Sequence, residues 1–185
     1  MGRVLGVLFL ILFLSCQDST QPKPPGFLAL SYDEPSYTPI NFGCPYSFEK
    51  NQKAKVETPN PNRPCWINLD YPQLNAKIYL TYSSVNQNLR DLLIDAQKLP
   101  DKHAIKADMI EVSIYKNEEK QTYGNFYEVE GDAASQAQFY LTDSTSHFLT
   151  GSIYFDVKPN YDSILPSAAY MKTEMQHLME TLEWE

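Results

Sequence analysis

The sequence predicts an α+β domain, an antiparallel β-sheet of about six or seven strands covered by two main helices, one of them at the C-terminus. Three observations carry that prediction. Between Tyr123 and Phe155, apolar and polar residues alternate in three successive runs with short turns between them, the pattern of a β-meander. From Asn86 the period changes, placing Leu89, Leu92, Leu93 and Ala96 at i, i+3, i+4 and i+7 of an amphipathic helix. After Asp162 a second helical stripe runs through Leu165, Ala168, Ala169, Met175, Leu178, Met179 and Leu182.

The N-terminus reads as an export signal. Arg3 precedes an apolar run from Val4 to Leu14, and Ser15 stands directly before Cys16. The run is too short for the ~20 residues a spanning helix needs. Leu14-Ser15-Cys16 matches the apolar-small-Cys ending of a bacterial lipobox, with Phe13 departing from the usual Leu or Val. On this reading residues 1–15 are the signal and Cys16 becomes the lipidated first residue, anchoring the chain to a membrane. Acyl chains contribute ~0.8 kcal/mol per buried CH₂, so several of them hold a protein on a bilayer essentially permanently. A plain secreted protein with an incidental cysteine is the alternative, but the polar QDSTQ after Cys16 and the lack of a second cleavage site favour the lipoprotein. Residues 16–26, with Pro22, Pro24 and Pro25, form an extended tether reaching roughly 30 Å at ~3.1 Å per residue.

The single folded domain is expected over residues 27–185. FLALSY from Phe27 gives a first strand, and a second extended stretch passes through Ile40 and Phe42 after Pro35 and Pro39, which exclude a helix. Cys44 and Cys65 follow, around a polar, proline-rich loop. Two thiols exported to an oxidising compartment are expected to pair, and closing that loop contributes ~3 kcal/mol in the chain-entropy model. A metal or redox pair is the competing reading, without CxxC spacing or a nearby His to support it. Trp66–Tyr71 and Ala76–Tyr82 read as strands joined by a turn at Pro72–Asn75, and the amphipathic helix then runs from Asn86 to near Pro100. The segment DKHAIKADM fits a helical turn or a loop, and Ile110, Val112 and Ile114 alternate as the strand that leads into the meander. Asp162 or Ser163 is the expected cap of the last helix, with Pro166 in its first turn.

A net charge of −8, without a local cluster of Lys and Arg, argues against nucleic acid as a partner. The abundance of Tyr and Phe fits sheet packing better than a sugar-stacking surface. TDSTSH brings Asp143, Ser144, Ser146 and His147 together, three residue types of a hydrolase triad. Triads, however, are assembled from separated segments with the nucleophile on a strained elbow, and a hairpin turn with self-satisfied side chains is the better reading. His103 and His177 stand singly, outside any HExxH or CxxC pattern, and no metal or cofactor is expected. Glu118-Glu119 and Asp33-Glu34 read as solvated turns, and the seven glycines form no phosphate loop.

Several long segments carry a resemblance: CPYSFEK, CWINLDYP, LRDLLIDAQKL, GNFYEVEGDAASQAQFYLTDSTSHFLTGSIYF and KPNYDSILPSAAYMKTEMQHLMETLEW. In this order they resemble the gliding motility lipoprotein GldD family of Bacteroidota, over nearly all of the chain after the tether. The resemblance implies a lipid-anchored envelope component needed for gliding motility and the associated type IX secretion system, with Cys16 as the lipid attachment site and other envelope proteins of that machinery as partners. It implies no catalytic residues, and the chain is expected not to be an enzyme. An adaptor using an aromatic sheet face or acidic surface is the expected mechanism, and a glycan-binding or cell-wall-binding module using exposed Tyr and Trp66 is the alternative. Only Asp18 lies in QDSTQ, which favours the periplasmic side of the outer membrane over the cell surface. The order of meander and C-terminal helix is similar to the PsbP/Mog1-like arrangement.

Overall fold

The computed structural model describes residues 32, 34–101, 106–157 and 160–185, with the side chains of 99–101 not described. The signal, Cys16, the tether, the strand expected from Phe27 and His103 lie outside the described residues. The chain forms a seven-stranded antiparallel sheet in the order β3-β4-β5-β9-β8-β7-β6 and a small three-stranded sheet in the order β1-β2-β10. The strands are β1 (Tyr37–Ile40), β2 (Tyr46–Asn51), β3 (Lys55–Glu57), β4 (Trp66–Tyr71), β5 (Ala76–Ser84), β6 (Ala107–Asn117), β7 (Thr122–Gly131), β8 (Ser135–Thr142), β9 (His147–Phe155) and β10 (Glu183–Trp184). The helices are α1 (Leu89–Asp101) and α2 (Tyr161–Thr181). This is the expected α+β class with a C-terminal helix.

The meander matches β7, β8 and β9 because alternation and turn chemistry agree along it. Gly131 closes the first turn at φ 102°, a conformation that favours glycine. In the second turn Asp143 Oδ1 accepts the amides of Thr145, Ser146 and His147 at 2.8–3.0 Å. Registered pairs share a face, so Ile67, Leu69, Ile78, Leu80, Phe139, Leu149 and Ile153 form one side of the sheet. Met171, Met175, Leu178 and Met179 of α2 pack there, and Tyr46 and Phe48 of β2 join the same core. The opposite side carries Tyr127, Tyr140 and Phe148, which Leu89, Leu92, Leu93 and Ala96 of α1 cover. The helices therefore lie on opposite faces, and strand β8 beneath both is buried along its whole length.

Four expectations are corrected. The stretch between Cys44 and Cys65 is not all loop, since it contains β2 and β3. Tyr46 and Phe48 alternate with the less buried Ser47 and Glu49, and β2 pairs with both β1 and β10. The meander does not bury only one face per strand, because α1 covers Tyr140 on the second side of β8, where Gln138 is buried as well. The cap of α2 is neither Asp162 nor Ser163: the helix starts at Tyr161, whose amide donates to Asp132 Oδ1 at 2.9 Å from the β7–β8 turn. Pro166 consequently falls beyond the first turn, inside the helix.

Cys44 and Cys65 are joined by a disulfide across a Cα–Cα distance of 5.5 Å. It ties the entry to β2 in the small sheet to the entry to β4 in the large one. None of the helices among the described residues is long and apolar enough to cross a membrane.

Candidate functional site

The residues of TDSTSH are used in the turn itself. Partial burial acts to raise the Asp143 carboxyl, but the amides of His147, Ser146 and Thr145 outweigh it and hold the group down at about 2. The carboxylate thus grips backbone, while the His147 ring turns away to bond Tyr82 through Nδ1 at 2.9 Å and to stack on Trp184 at 5.2 Å. Ser144 occupies a left-handed conformation at φ 68°, with its amide on Thr142 Oγ1. His177 lies within 2.9 Å of Glu49 Oε2 and stacks on Tyr37 at 3.5 Å, so α2 is pinned to β1 and β2. Among the described residues no group of His, Cys, Asp and Glu could hold a metal ion.

A buried carboxylate that sequence reasoning missed is Glu174 on α2, 4% exposed. Tyr37 Oη and Asn51 Nδ2 donate to its Oε1, both at 3.1 Å, and Tyr71 Oη donates to its Oε2 at 3.0 Å. Burial first, and then the nearby Glu174 charge, push the Tyr37 and Tyr71 hydroxyls up, so both remain donors. Asn51 also donates to Tyr170 Oη at 2.9 Å. The signal available in sequence was a lone Glu within the apolar stripe of α2, beside Met175. Its donors come from β1, β2 and β4, which no local pattern connects. The cluster joins both sheets to the helix and spends the carboxylate's capacity on doing so.

One surface open to another molecule is the part of the α1-side face that α1 leaves uncovered on β5 and β9. Registered pairing puts Lys77, Tyr79 and Thr81 of β5 beside Thr150, Ser152 and Tyr154 of β9, with Asp70 and Glu57 beyond them on β4 and β3. Tyr79 is 40% exposed and meets Tyr154 edge to face at 5.5 Å. Lys77 Nζ bonds Glu57 Oε2 at 2.8 Å and lies 3.7 Å from Asp70 Oδ1. This arrangement is a platform with an aromatic pair at its centre and paired charges at one edge. Trp66, the candidate for sugar stacking, is otherwise engaged: Arg63 covers its ring at 4.1 Å and its Nε1 donates to Tyr82 O at 3.0 Å.

Fold and surface together define a layered α+β domain with a sheet face that its own helices only half cover. The chain belongs to the gliding motility lipoprotein GldD family, which matches residues 17–184, beginning at the residue after Cys16. Membership makes it a gliding motility lipoprotein, in agreement with the resemblance read from the sequence segments. No curated protein matches the chain.

Proposed function

We propose that this domain is a non-catalytic adaptor, anchored through a lipid on Cys16, that holds other envelope components of the gliding machinery and of the associated type IX secretion system. It works from the periplasmic side of the outer membrane. The observation that carries this reading is the uncovered half of the sheet. Strands β5 and β9 are central, long and fully paired, so the platform they present is rigid. Its chemistry, a half-exposed Tyr pair flanked by Thr and Ser hydroxyls and a Lys77 ion pair, suits a polar protein surface with an apolar centre. Aromatic residues at the middle of such a patch are the usual anchors of protein interfaces.

Substitution tests the reading directly. In cells, Tyr79→Ala and Lys77→Glu are expected to reduce gliding sharply while the amount of the lipoprotein stays unchanged. If both variants, separately and together, glide normally, the platform is not the docking surface. Binding to cell-wall glycan is a second reading that the exposed Tyr79 ring also supports. Retention of the protein on purified cell wall, lost in Tyr79→Ala, would move that reading ahead.

A further inference from the structure

Strand β6 closes one edge of the seven-stranded sheet, pairing with β7 on one side and with no other strand among the described residues. It is eleven residues long, whereas β3 at the opposite edge has three. An open edge is a template for another strand, and edges are ordinarily kept short, bulged or charged for that reason. Here the exposed edge is apolar as well. Of the seven large hydrophobic side chains exposed among the described residues, three lie on β6: Met109 at 49%, Val112 at 51% and Ile114 at 85%. Isolated exposed hydrophobics mean little, but three on one edge strand mark a contact surface.

We propose that β6 is the pairing edge for a second copy of this chain, the two strands running antiparallel with Val112 opposite Val112 on a two-fold axis. The sequence of β6 selects this register. Centred on Val112, Ile110 faces Ile114, Met109 faces Tyr115, and Glu111 faces Ser113. Apolar residues thus meet apolar residues, and no two like charges are opposed. Neighbouring registers fail. Centring on Ser113 sets Ile110 against Lys116, centring on Glu111 sets two carboxylates face to face, centring on Ile114 sets Val112 against Lys116, and centring on Ile110 brings the irregularity at Asp108 opposite Val112. Directly opposed like charges destabilise a ladder, and apolar pairs stabilise it.

Both faces of the joined strands are accounted for. On the α1 side, Ile110, Val112 and Ile114 of the two copies form one continuous apolar strip. On the α2 side, a groove of about 240 Å³ between β6 and α2 is lined by Tyr115, Phe126 and Met179, with Gln176 and Glu180 at its rim. Met109 of the second copy, opposite Tyr115, lies at the mouth of that groove. The irregularity between Ala107 and Met109 ends the regular ladder at Met109, so Met109 to Tyr115 is the stretch that pairs, symmetric about Val112. The interface is isologous and closes, as a two-fold dimer requires.

Cysteine cross-linking of the full lipidated chain in living cells tests both the partner and the register. Residues opposite each other have Cα atoms about 4.5–5.5 Å apart, within reach of a disulfide, whereas two copies of residue 114 would be roughly 13 Å apart. Val112→Cys is expected to give a disulfide-linked species of twice the chain mass under mild oxidation. Ile114→Cys alone and Ile110→Cys alone are expected to give little, and co-expression of the two single variants is expected to restore the dimer. For the purified wild-type chain in detergent, sedimentation is expected to give the mass of a dimer, and Val112→Lys that of a monomer. Absence of the linked dimer in Val112→Cys at a normal protein level would overturn the proposal. So would a monomeric wild-type chain, or cross-linking of Val112→Cys to a different protein, which would assign the edge to another partner's strand.

Discussion

Asp143 shows how a residue that resembles a catalytic acid can be given over to the fold. Its oxygen holds the amides of Thr145, Ser146 and His147, and it also accepts the Thr145 hydroxyl at 2.8 Å. Because its folded carboxyl is held near 2, below the usual carboxylate value of 3.8, its contribution is fully present above about pH 4 and is lost as pH falls through 2. Solvent screening of this partly exposed group limits that contribution to about 1 kcal/mol. Asp143→Ala is therefore expected to lower stability in urea unfolding at neutral pH by about 1–2 kcal/mol, with the gap to wild type narrowing between pH 4 and pH 2. A gap independent of pH would contradict this role. Glu174 makes the complementary case inside the protein. Tyr71→Phe removes one of its three donors in a buried setting and is expected to cost about 1–3 kcal/mol, measured in the same way. Asp143 was legible in sequence because its partners are two to four residues away. Glu174 was not, because Tyr37, Asn51 and Tyr71 come to it from 103 to 137 positions away.

At the scale of elements, legibility follows how local the cause is. Strands β7, β8 and β9 and both helices are set by periodicity that a short window contains. Strand β8 hid its double burial behind Gln136 and Gln138, polar residues that look solvent-facing but are buried in the fold. Strands β2 and β3 were missed because the polar, proline-rich stretch around them dominates the composition, although Tyr46, Phe48 and their neighbours alternate. The start of α2 was misplaced because its first amide is satisfied from another element, by Asp132. Close packing between β8 and β9 gives a test at this scale. A Cβ on Gly151 would lie 2.1 Å from Phe139 Cε1, and Phe139 is itself 2% exposed and held under α2. Gly151→Ala is expected to destabilise the fold by about 1–3 kcal/mol through overpacking, measured by urea unfolding. An unchanged unfolding midpoint would show that Phe139 has room to move.

Across the whole molecule, the disulfide joins the small sheet to the large one, the Glu174 cluster joins α2 to both sheets, and the His177–Glu49 contact pins α2 to the small sheet. They fix the α2 side and leave the α1 side with its open platform, a division that suits a part whose work is holding others. The sequence could announce the lipoprotein family, through the segments that carry its resemblance, and the layered class, through its periods. It could not announce the platform, because Tyr79 and Tyr154 are separated by 75 positions and meet only through the pairing of β5 with β9. The adaptor proposal stands or falls on what touches that platform in the cell. The most direct measurement replaces Tyr79 with a photo-crosslinking residue in the full lipidated chain, illuminates living gliding cells, and identifies the proteins covalently captured. The account predicts capture of another envelope protein of the gliding or secretion machinery from position 79, lost when Cys16→Ser removes the anchor. A chain that is present in normal amount but captures no protein at that position, or captures the same proteins without its anchor, would contradict it.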